Sequence, residues 1–213
     1  MRLSARLARI LSTAMAVVGI IVTAPIMVVI AIVIKLTSPG PVFYVQDRVG
    51  VDRRNGRPPP PESRRLADKG GRIFTIYKFR TMHVGADGIG EVWASPNDDR
   101  VTPVGRFLRS SRLDELPQLF NVLLGDMNIV GPRPEQPEIF QNLRGKIDRY
   151  PERQKVLPGI TGLAQVSQAP DQTLEDVQDK IEYDLAYIER KGPIHDLWIM
   201  VKTLPVVIKR IGW

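Results

Sequence analysis

Two adjacent carboxylates, Asp114 and Glu115, are the residues of this chain best suited to chemistry. Pro117 follows closely, and proline is tolerated in the first turn of a helix, so the acids are expected at or just before a helix N-terminus. Free backbone donors and the positive end of the helix dipole stabilise carboxylates there and attract phosphate. An ionised Asp114 can attack phosphorus and form an acyl phosphate, while Glu115 can hold Mg²⁺ against a diphosphate. A simple capping pattern, in which both acids only stabilise a helix, fits the same segment.

Cationic side chains accompany the acids. Arg133 lies between Pro132 and Pro134, whose rings fix φ, and a guanidinium held in this way suits phosphate oxygens. The cations that precede the acids are Lys78, Arg80, Arg106, Arg109 and Arg112. A rigid loop and a solvated basic face would give the same pattern. These residues therefore support phosphate chemistry only in combination with the acids.

The composition narrows the class of protein. A chain of 213 residues is long enough to bury a core, and its formal charge of +7 favours an anionic partner such as nucleic acid, acidic lipid or a phosphorylated substrate. The absence of cysteine excludes disulfides and thiolate metal sites and fits a location facing the cytoplasm, and two scattered histidines do not suggest zinc. Few aromatic residues lie among the basic residues of 52–71, so stacking on nucleic acid bases is not expected.

An uncharged apolar run occupies residues 14–34, close to the ~20 residues that a bilayer-spanning helix needs. A cleavable signal peptide is disfavoured because its apolar region would have only about 7–15 residues. Basic residues flank the run on both sides, which by the positive-inside rule places both ends in the cytoplasm. Pro25 lies near the middle and is expected to kink or break the helix. A re-entrant helix-break-helix and a kinked single pass both remain open.

The rest of the chain reads as a small domain of mixed structure. Residues 42–50 and 73–79 predict two strands, and residues 104–124 predict two helical pieces that meet at Asp114. Residues 137–148 and 173–190 predict amphipathic helices. Residues 194–213 are amphipathic as well, with aromatic and basic residues that fit either an interfacial helix or one packed on the core. Residues 52–71 predict an exposed, flexible, basic and proline-rich insertion.

In seven blocks along its length the chain resembles the small monotopic phosphoglycosyl transferases of the bacterial sugar transferase family, from about residue 6 to the end. Besides the apolar segment with Pro25, the resemblance is carried by residues 40–43 (GPVF), 48–50 (RVG), 76–82 (IYKFRTM), 113–122 (LDELPQLFNV), 125–127 (GDM), 130–134 (VGPRP) and 158–162 (PGITG). So many blocks in one order make a chance resemblance very improbable.

The resemblance implies a mostly helical α/β fold: a re-entrant membrane helix at 1–37 and a catalytic domain with a short sheet and interfacial helices at 38–213. It implies a place in the bacterial inner membrane with that domain facing the cytoplasm, Mg²⁺, a UDP-sugar donor and a polyprenyl phosphate acceptor. Asp114 would attack the donor's β-phosphorus and release UMP, and Glu115 would carry the metal. Lys78, Arg80, Arg112 and Arg133 would contact the substrate. Neither a nucleic acid partner nor a particular oligomeric state is implied, and a homodimer stays open.

The chain departs from the family's pattern at three places. Ala24 replaces the usual serine before the membrane proline, Leu157 replaces an arginine, and Gln168-Ala169 replaces a Gly-Arg pair. The missing arginine of that pair is expected to help hold the donor, and Arg153 or Lys155 would be candidates to compensate for it. The runner-up function is a membrane-tethered basic adaptor that binds acidic lipid or nucleic acid without catalysis.

Overall fold

The computed structural model describes residues 2–52, 70–86, 98–169 and 173–208, and this part of the chain is mostly helical with short sheets. Its α-helices are α1 (Arg2–Thr37), α2 (Pro103–Ser110), α3 (Gln118–Leu124), α4 (Pro137–Leu143), α5 (Leu163–Ser167), α6 (Leu174–Arg190) and α7 (Pro193–Ile208). The strands are β1 (Phe43–Val49), β2 (Ile73–Phe79), β3 (Asn128–Val130) and β4 (Gly159–Thr161), and 3₁₀ helices span Leu113–Glu115 and Tyr150–Lys155. Residues 53–69 of the predicted insertion lie outside the described residues.

Helix α1 runs through Pro25 without interruption, so a break at this residue is wrong at the level of secondary structure, whereas the alternative of a kink at Pro25 stays a prediction. Proline removes one backbone donor, but a 36-residue helix keeps its other hydrogen bonds, and the Thr23 hydroxyl donates to the Gly19 carbonyl at 2.6 Å just before the proline. Within the described residues α1 is long and apolar enough to cross a membrane. It is therefore able to anchor the chain in a bilayer.

The globular part of the chain contacts α1 near both of its ends. Arg9 Nη1 donates to the Met127 carbonyl at 2.6 Å, and Ile34 packs with Phe79 and Leu108. At 1.5 Å per residue these contacts lie about 37 Å apart along the helix, which exceeds the ~30 Å hydrocarbon core of a bilayer. One folded body therefore lies along most of the length of α1.

Strands β1 and β2 form an antiparallel pair in which Tyr44 is opposite Lys78 and Val49 is opposite Ile73. The bounds predicted for β2 are confirmed, and β1 begins one residue later than predicted. One edge of β2 is completed by a side chain, because Asn121 Nδ2 donates to the Thr75 carbonyl at 2.7 Å and Asn121 Oδ1 accepts from the Tyr77 amide at 3.1 Å. This fully buried amide fastens α3 to the strand that carries Lys78.

Strands β3 and β4 are parallel, and they meet where only glycine fits. A Cβ atom on Gly159 would lie 2.1 Å from the Gly131 nitrogen, and one on Gly131 would lie 2.5 Å from the Leu157 carbonyl oxygen. Both distances are shorter than any side chain tolerates, so the backbones approach closely only because neither residue has a side chain. This approach fixes the start of the segment 131–135.

The predicted helices are present with changed ends. Two pieces do meet at Asp114, namely α2 and α3, and α6 begins after a Thr173 cap with a reciprocal Asp176 contact. Helix α4 ends at Leu143, five residues earlier than predicted, since the amides of Lys146 and Ile147 both turn back to the Leu143 carbonyl. Helix α7 follows the predicted C-terminal segment, of which residues 209–213 lie outside the described part.

Candidate active site

Asp114 and Glu115 lie in a single 3₁₀ turn, Leu113–Glu115, that joins α2 to α3. Arg112 begins this turn with φ of 59°, a left-handed conformation that non-glycine residues seldom adopt. Both acids are only 7% exposed. The sequence prediction that they precede a helix is thus confirmed, but α3 has only seven residues and Pro117 at its cap, so neighbouring cations supply most of the positive field.

Glu115 receives two cations on one oxygen. Lys78 Nζ, from β2, lies 3.0 Å from Glu115 Oε1, and Arg133 Nη2, from the loop after β3, lies 2.9 Å from the same atom. Burial alone would raise the pKa of Glu115, but Arg133 and Lys78 hold it well below the usual range. Burial lowers the pKa of Lys78 although Glu115 opposes the shift, and Glu115 raises the pKa of Arg133. Glu115 is therefore ionised at neutral pH.

Asp114 differs from its neighbour because its Oδ1 atom is buried without a hydrogen-bond partner in the described structure. Burial raises the pKa of Asp114, and the adjacent charge of Glu115 raises it further, while Lys78 and Arg133 lower it. A buried carboxylate oxygen with unused acceptor capacity is costly, and groups left in this state frequently have a chemical role. We call Asp114, Glu115, Lys78 and Arg133 the site cluster.

Two further arginines lie beside the site cluster. Arg109, from α2, donates from Nε to the Thr81 hydroxyl at 2.9 Å. It is also among the charges that lower the pKa of Asp114. Arg48, from β1, donates to the Pro134 carbonyl at 3.2 Å and has a buried Nε atom with no partner among the described residues. Burial lowers the pKa of both. The sequence placed Arg48 in a family motif and among the basic residues that follow the apolar run, but it did not place Arg48 in the site, because alternation along a strand does not reveal which arginine approaches a distant loop.

The remaining predicted site residues are not members of the site cluster, and their contact with a substrate stays a prediction. Arg80 is buried and donates to the carbonyls of Ser38 at 2.8 Å and Pro39 at 2.5 Å, just after the end of α1. Arg112 is half-buried and is one of the charges that lower the pKa of Glu115. Pro25 lies inside α1. The structure thus brings together Asp114, Glu115, Lys78 and Arg133. The Arg80 guanidinium instead binds backbone carbonyls at the end of α1.

The two cations that were expected to compensate for the missing arginine lie in different environments, one buried and one exposed. Arg153 is 1% exposed, and its guanidinium donates to Asp184 Oδ2 at 2.7 Å and to the Arg133 carbonyl at 2.9 Å. A side chain so committed cannot reach a donor, so that expectation for Arg153 is wrong. Lys155 is exposed and pairs with Glu152 at 2.6 Å. Sequence gives no sign of this burial, since arginine is seldom fully buried.

The donor set fits a magnesium ion that is shared with a substrate. No group of three acidic or histidine side chains suitable for a metal occurs in the described residues. Mg²⁺, however, is commonly held by one or two carboxylates together with substrate phosphate oxygens. Glu115 can supply such a carboxylate oxygen, because both of its ion pairs use Oε1 and neither uses Oε2.

Comparison with known proteins gives a consistent result. Residues 3–210 match the family described as bacterial sugar transferase. The chain is 40% identical to the UDP-N-acetylgalactosamine-undecaprenyl-phosphate N-acetylgalactosaminephosphotransferase of Aeromonas hydrophila, over 92% of this chain and 42% of that protein. It is 42% identical to the UDP-glucose:undecaprenyl-phosphate glucose-1-phosphate transferase of Klebsiella pneumoniae, over 87% of this chain and 36% of that protein. It is 34% identical to the undecaprenyl-phosphate galactose phosphotransferase of Salmonella typhimurium, over 91% and 38%. The chain spans well under half the length of these three relatives.

Proposed function

The chain belongs to the bacterial sugar transferase family, and from that premise we propose that it transfers a sugar 1-phosphate from a UDP-sugar to undecaprenyl phosphate. The relatives are named as transferases of this type for different sugars, N-acetylgalactosamine, glucose and galactose. Their names therefore support the reaction and leave the sugar open. Nothing in the comparisons supports the basic adaptor.

The observation that carries the proposal is the state of Asp114. Its Oδ1 atom is buried and without a hydrogen bond in the described structure, and it shares the site with Lys78 and Arg133. These cations draw the phosphates of a donor to the carboxylate and keep a usable fraction of Asp114 ionised despite burial. A carboxylate that served only as a helix cap would accept hydrogen bonds from backbone amides, which this oxygen does not do in the described structure.

We assign a two-step reaction to this arrangement. An oxygen of ionised Asp114 forms a bond to the β-phosphorus of the UDP-sugar, and the bond from that phosphorus to the oxygen of UMP breaks. UMP leaves with the electron pair, and the sugar phosphate remains on Asp114 as an acyl phosphate. A phosphate oxygen of undecaprenyl phosphate then attacks the same phosphorus, and the carboxylate of Asp114 is released unchanged. Lys78 and Arg133 stabilise the charge on the phosphoryl oxygens in both steps.

Mg²⁺ is the metal we assign to the site, where it would neutralise the charge that develops on the UMP leaving group. Glu115 would hold it through Oε2, since both ion pairs of Glu115 use Oε1. Because Lys78 and Arg133 already balance the charge of Glu115, these residues alone attract a further cation weakly. Metal affinity is therefore expected to depend on the diphosphate of the donor.

In our proposal α1 enters the membrane, bends at Pro25 without a break in the helix and returns to the same side, and its packing supports this path. If α1 crossed the bilayer, the contacts of Arg9 and of Ile34 with one polar domain would lie on opposite membrane faces. Charged residues between them would then lie in hydrocarbon, at a cost of several kcal/mol each. We accordingly place residues 1–37 in one leaflet of the bacterial inner membrane and the catalytic domain, 38–213, on its cytoplasmic face.

Helix α7 supports the same orientation. Its exposed apolar side chains recur at helical spacing on one face: Ile194, Leu197, Trp198, Val201 and Leu204. Lys202 lies over the Trp198 ring, 5.1 Å from its centre, as basic and aromatic residues do at a lipid surface. We assign α7 to the membrane interface, where it would help to bring Asp114 level with the phosphate of a lipid acceptor.

Product analysis tests the reaction directly. The full chain in detergent or nanodiscs is incubated with a panel of UDP-sugars, Mg²⁺ and undecaprenyl phosphate, and the released nucleotide is identified. We expect UMP, and with radiolabelled donor but no acceptor we expect label on Asp114. Release of UDP would mean ordinary glycosyl transfer, and absence of label on wild type that releases UMP would exclude the covalent step.

Topology has its own test. Leu7→Cys and Leu36→Cys replace exposed residues near the two ends of α1. We expect a membrane-impermeant thiol reagent to label both from the cytoplasmic side only. Labelling of the two positions from opposite sides would refute the re-entrant path without touching the reaction.

A further inference from the structure

The segment 131–135 carries Arg133 to the site, but it forms neither helix nor strand. Its shape is instead set by hydrogen bonds from other parts of the chain to consecutive carbonyls. The Pro132 carbonyl accepts from the Gly159 amide (2.9 Å), Arg133 from Arg153 Nη2 (2.9 Å), Pro134 from Arg48 Nη1 (3.2 Å) and Glu135 from the Val49 amide (2.9 Å). One of these donors, Arg153, contacts the residue whose side chain enters the site.

Arg153 is itself held by a buried network of charges. Besides Asp184, its Nη1 atom lies 3.1 Å from the Tyr150 hydroxyl and 3.3 Å from Glu135 Oε1. Lys180 Nζ lies 2.7 Å from the same oxygen of Glu135. Burial would lower the pKa of Arg153, but Asp184 and its other neighbours hold it well above the usual range, so it is a permanent cation. We call Glu135, Arg153, Lys180 and Asp184 the anchor cluster.

The anchor cluster therefore reaches the segment 131–135 at two adjacent points. Arg153 holds the backbone of Arg133, and Arg153 and Lys180 together hold the side chain of Glu135, two residues further on. Asp184 and Lys180 both come from α6, a 17-residue helix with a complete capping box. Helix α6 therefore helps to fix the position of Arg133 through Arg153 and Glu135, although no residue of α6 belongs to the site cluster.

We infer that Arg153, oriented by Asp184, is a positioning residue that directs the guanidinium of Arg133 onto Glu115 and onto the phosphates of the donor. Arg153 acts through the Arg133 backbone and does not touch the substrate, since its side chain is 1% exposed. A planar guanidinium suits this role, because its fork of two terminal nitrogens serves four acceptors at once. Nη2 donates to the Asp184 carboxylate and the Arg133 carbonyl, and Nη1 donates to the Tyr150 hydroxyl and the Glu135 carboxylate. The single nitrogen of an ammonium, with three donors, cannot make the same set of contacts. The kinetic part of the test rests on the proposed function.

The structural arm uses Arg153→Lys, which keeps a buried charge opposite Asp184 and loses the fork. In the full chain, labelled with ¹⁵N-arginine and held in nanodiscs, the guanidinium signal of Arg133 is assigned by its loss in Arg133→Lys. We expect the slow guanidinium rotation that the Glu115 ion pair imposes in wild type to become fast in Arg153→Lys. An unchanged Arg133 signal in a folded Arg153→Lys protein would overturn the inference.

A second variant covers the case in which Arg153→Lys fails to fold. Arg153→Met combined with Asp184→Leu removes both partners and leaves no uncompensated charge between them, a replacement that buried ion pairs often tolerate. The same loosening of Arg133 is expected here. Retention of the slow rotation in this folded double variant would also refute positioning by Arg153.

The kinetic arm is a double-mutant cycle on UMP release. Arg153→Lys should lower kcat/KM about 10-fold in the wild-type background and should have no further effect in an Arg133→Ala background, because it acts through Arg133. Equal losses in both backgrounds would mean a general structural effect and would overturn the inference. If wild type released no UMP, the proposed function would fall, and the Arg133 signal alone would decide on positioning.

Discussion

The site cluster and the anchor cluster have the same composition and opposite states. Each contains a glutamate oxygen that receives one lysine and one arginine, with an aspartate beside it. In the anchor cluster Asp184 Oδ2 accepts from Arg153 at 2.7 Å, whereas in the site cluster Asp114 Oδ1 has no partner among the described residues. Residue types therefore do not distinguish a structural network from the one that we propose to be reactive. The two clusters differ in whether the aspartate oxygen has a hydrogen-bond partner, as in Asp184, or has none among the described residues, as in Asp114.

The largest expected contrast comes from neutralising the two aspartates. Asp114→Asn should lower UMP release by at least about 10³-fold, since it removes the proposed nucleophile, and should leave the melting temperature unchanged or higher, since Oδ1 has no hydrogen bond within the described structure. Asp184→Asn should instead lower the free energy of unfolding by about 3–5 kcal/mol, because it leaves Arg153 buried without its main counter-charge. Calorimetry and a UMP assay on both variants measure the contrast. Full turnover in Asp114→Asn would remove the basis of the proposed reaction.

The two glutamates give the next largest contrast. Glu115→Gln should reduce turnover about 10²-fold by disordering Lys78 and Arg133 and weakening the metal site. Glu135→Gln should mainly destabilise the fold and raise KM for the donor, with a smaller change in kcat. Steady-state kinetics at saturating Mg²⁺, alongside thermal unfolding, separate these outcomes. Equal losses of kcat in both variants would contradict the division into a reactive and a structural cluster.

The pH dependence of turnover should differ less between the two clusters, but it tests the role of Asp114 specifically. In the proposed reaction the nucleophile is the ionised form of Asp114, whose pKa is raised by burial, so kcat/KM should fall with decreasing pH at a higher pH than the ~4 of an ordinary aspartate. Lys78→Met removes a charge that lowers this pKa and should move the fall to still higher pH. Lys180→Met, the matched change in the anchor cluster, should leave the midpoint in place. A midpoint that Lys78→Met does not move would exclude Asp114 as the group observed.

The smallest effect is expected where the ion pair is exposed. Lys155 pairs with Glu152 at 2.6 Å, but more than half of the lysine side chain is exposed. Solvent screens such a pair, so Lys155→Ala should change neither turnover nor melting temperature measurably. A donor affinity that fell several-fold in Lys155→Ala would instead show that this lysine, unlike Arg153, does compensate for the missing family arginine.

The sequence predicted those features that have a local pattern. Alternation over 73–79 gave the bounds of β2, a threonine followed by acids gave the start of α6, and the proline after Glu115 placed the acids before α3. Strands β3 and β4 have three residues each, too few for a period to be visible, and their backbone pairing requires the close approach of Gly131 and Gly159. Neither strand was predicted.

Contacts between distant segments were the part that sequence could not supply. From its residue type alone, Arg153 would be expected at the surface. Only the tertiary fold shows that Asp184, 31 residues later, pairs with it in the interior. The same holds for Asn121, whose amide replaces a neighbouring strand along β2. Polar residues in such roles have ordinary neighbours in the chain, so no local rule separates them from solvent-exposed ones.

The packing of α1 along the domain has a practical consequence for anyone who wishes to produce this protein. Phe79, Leu108 and Leu119 bury part of their surface against the apolar helix. A truncated form that starts after Thr37 would present that surface to water and would be expected to precipitate rather than yield a water-soluble enzyme. The membrane helix is in this sense a component of the hydrophobic core, and detergents or lipid mimetics must accommodate it as such.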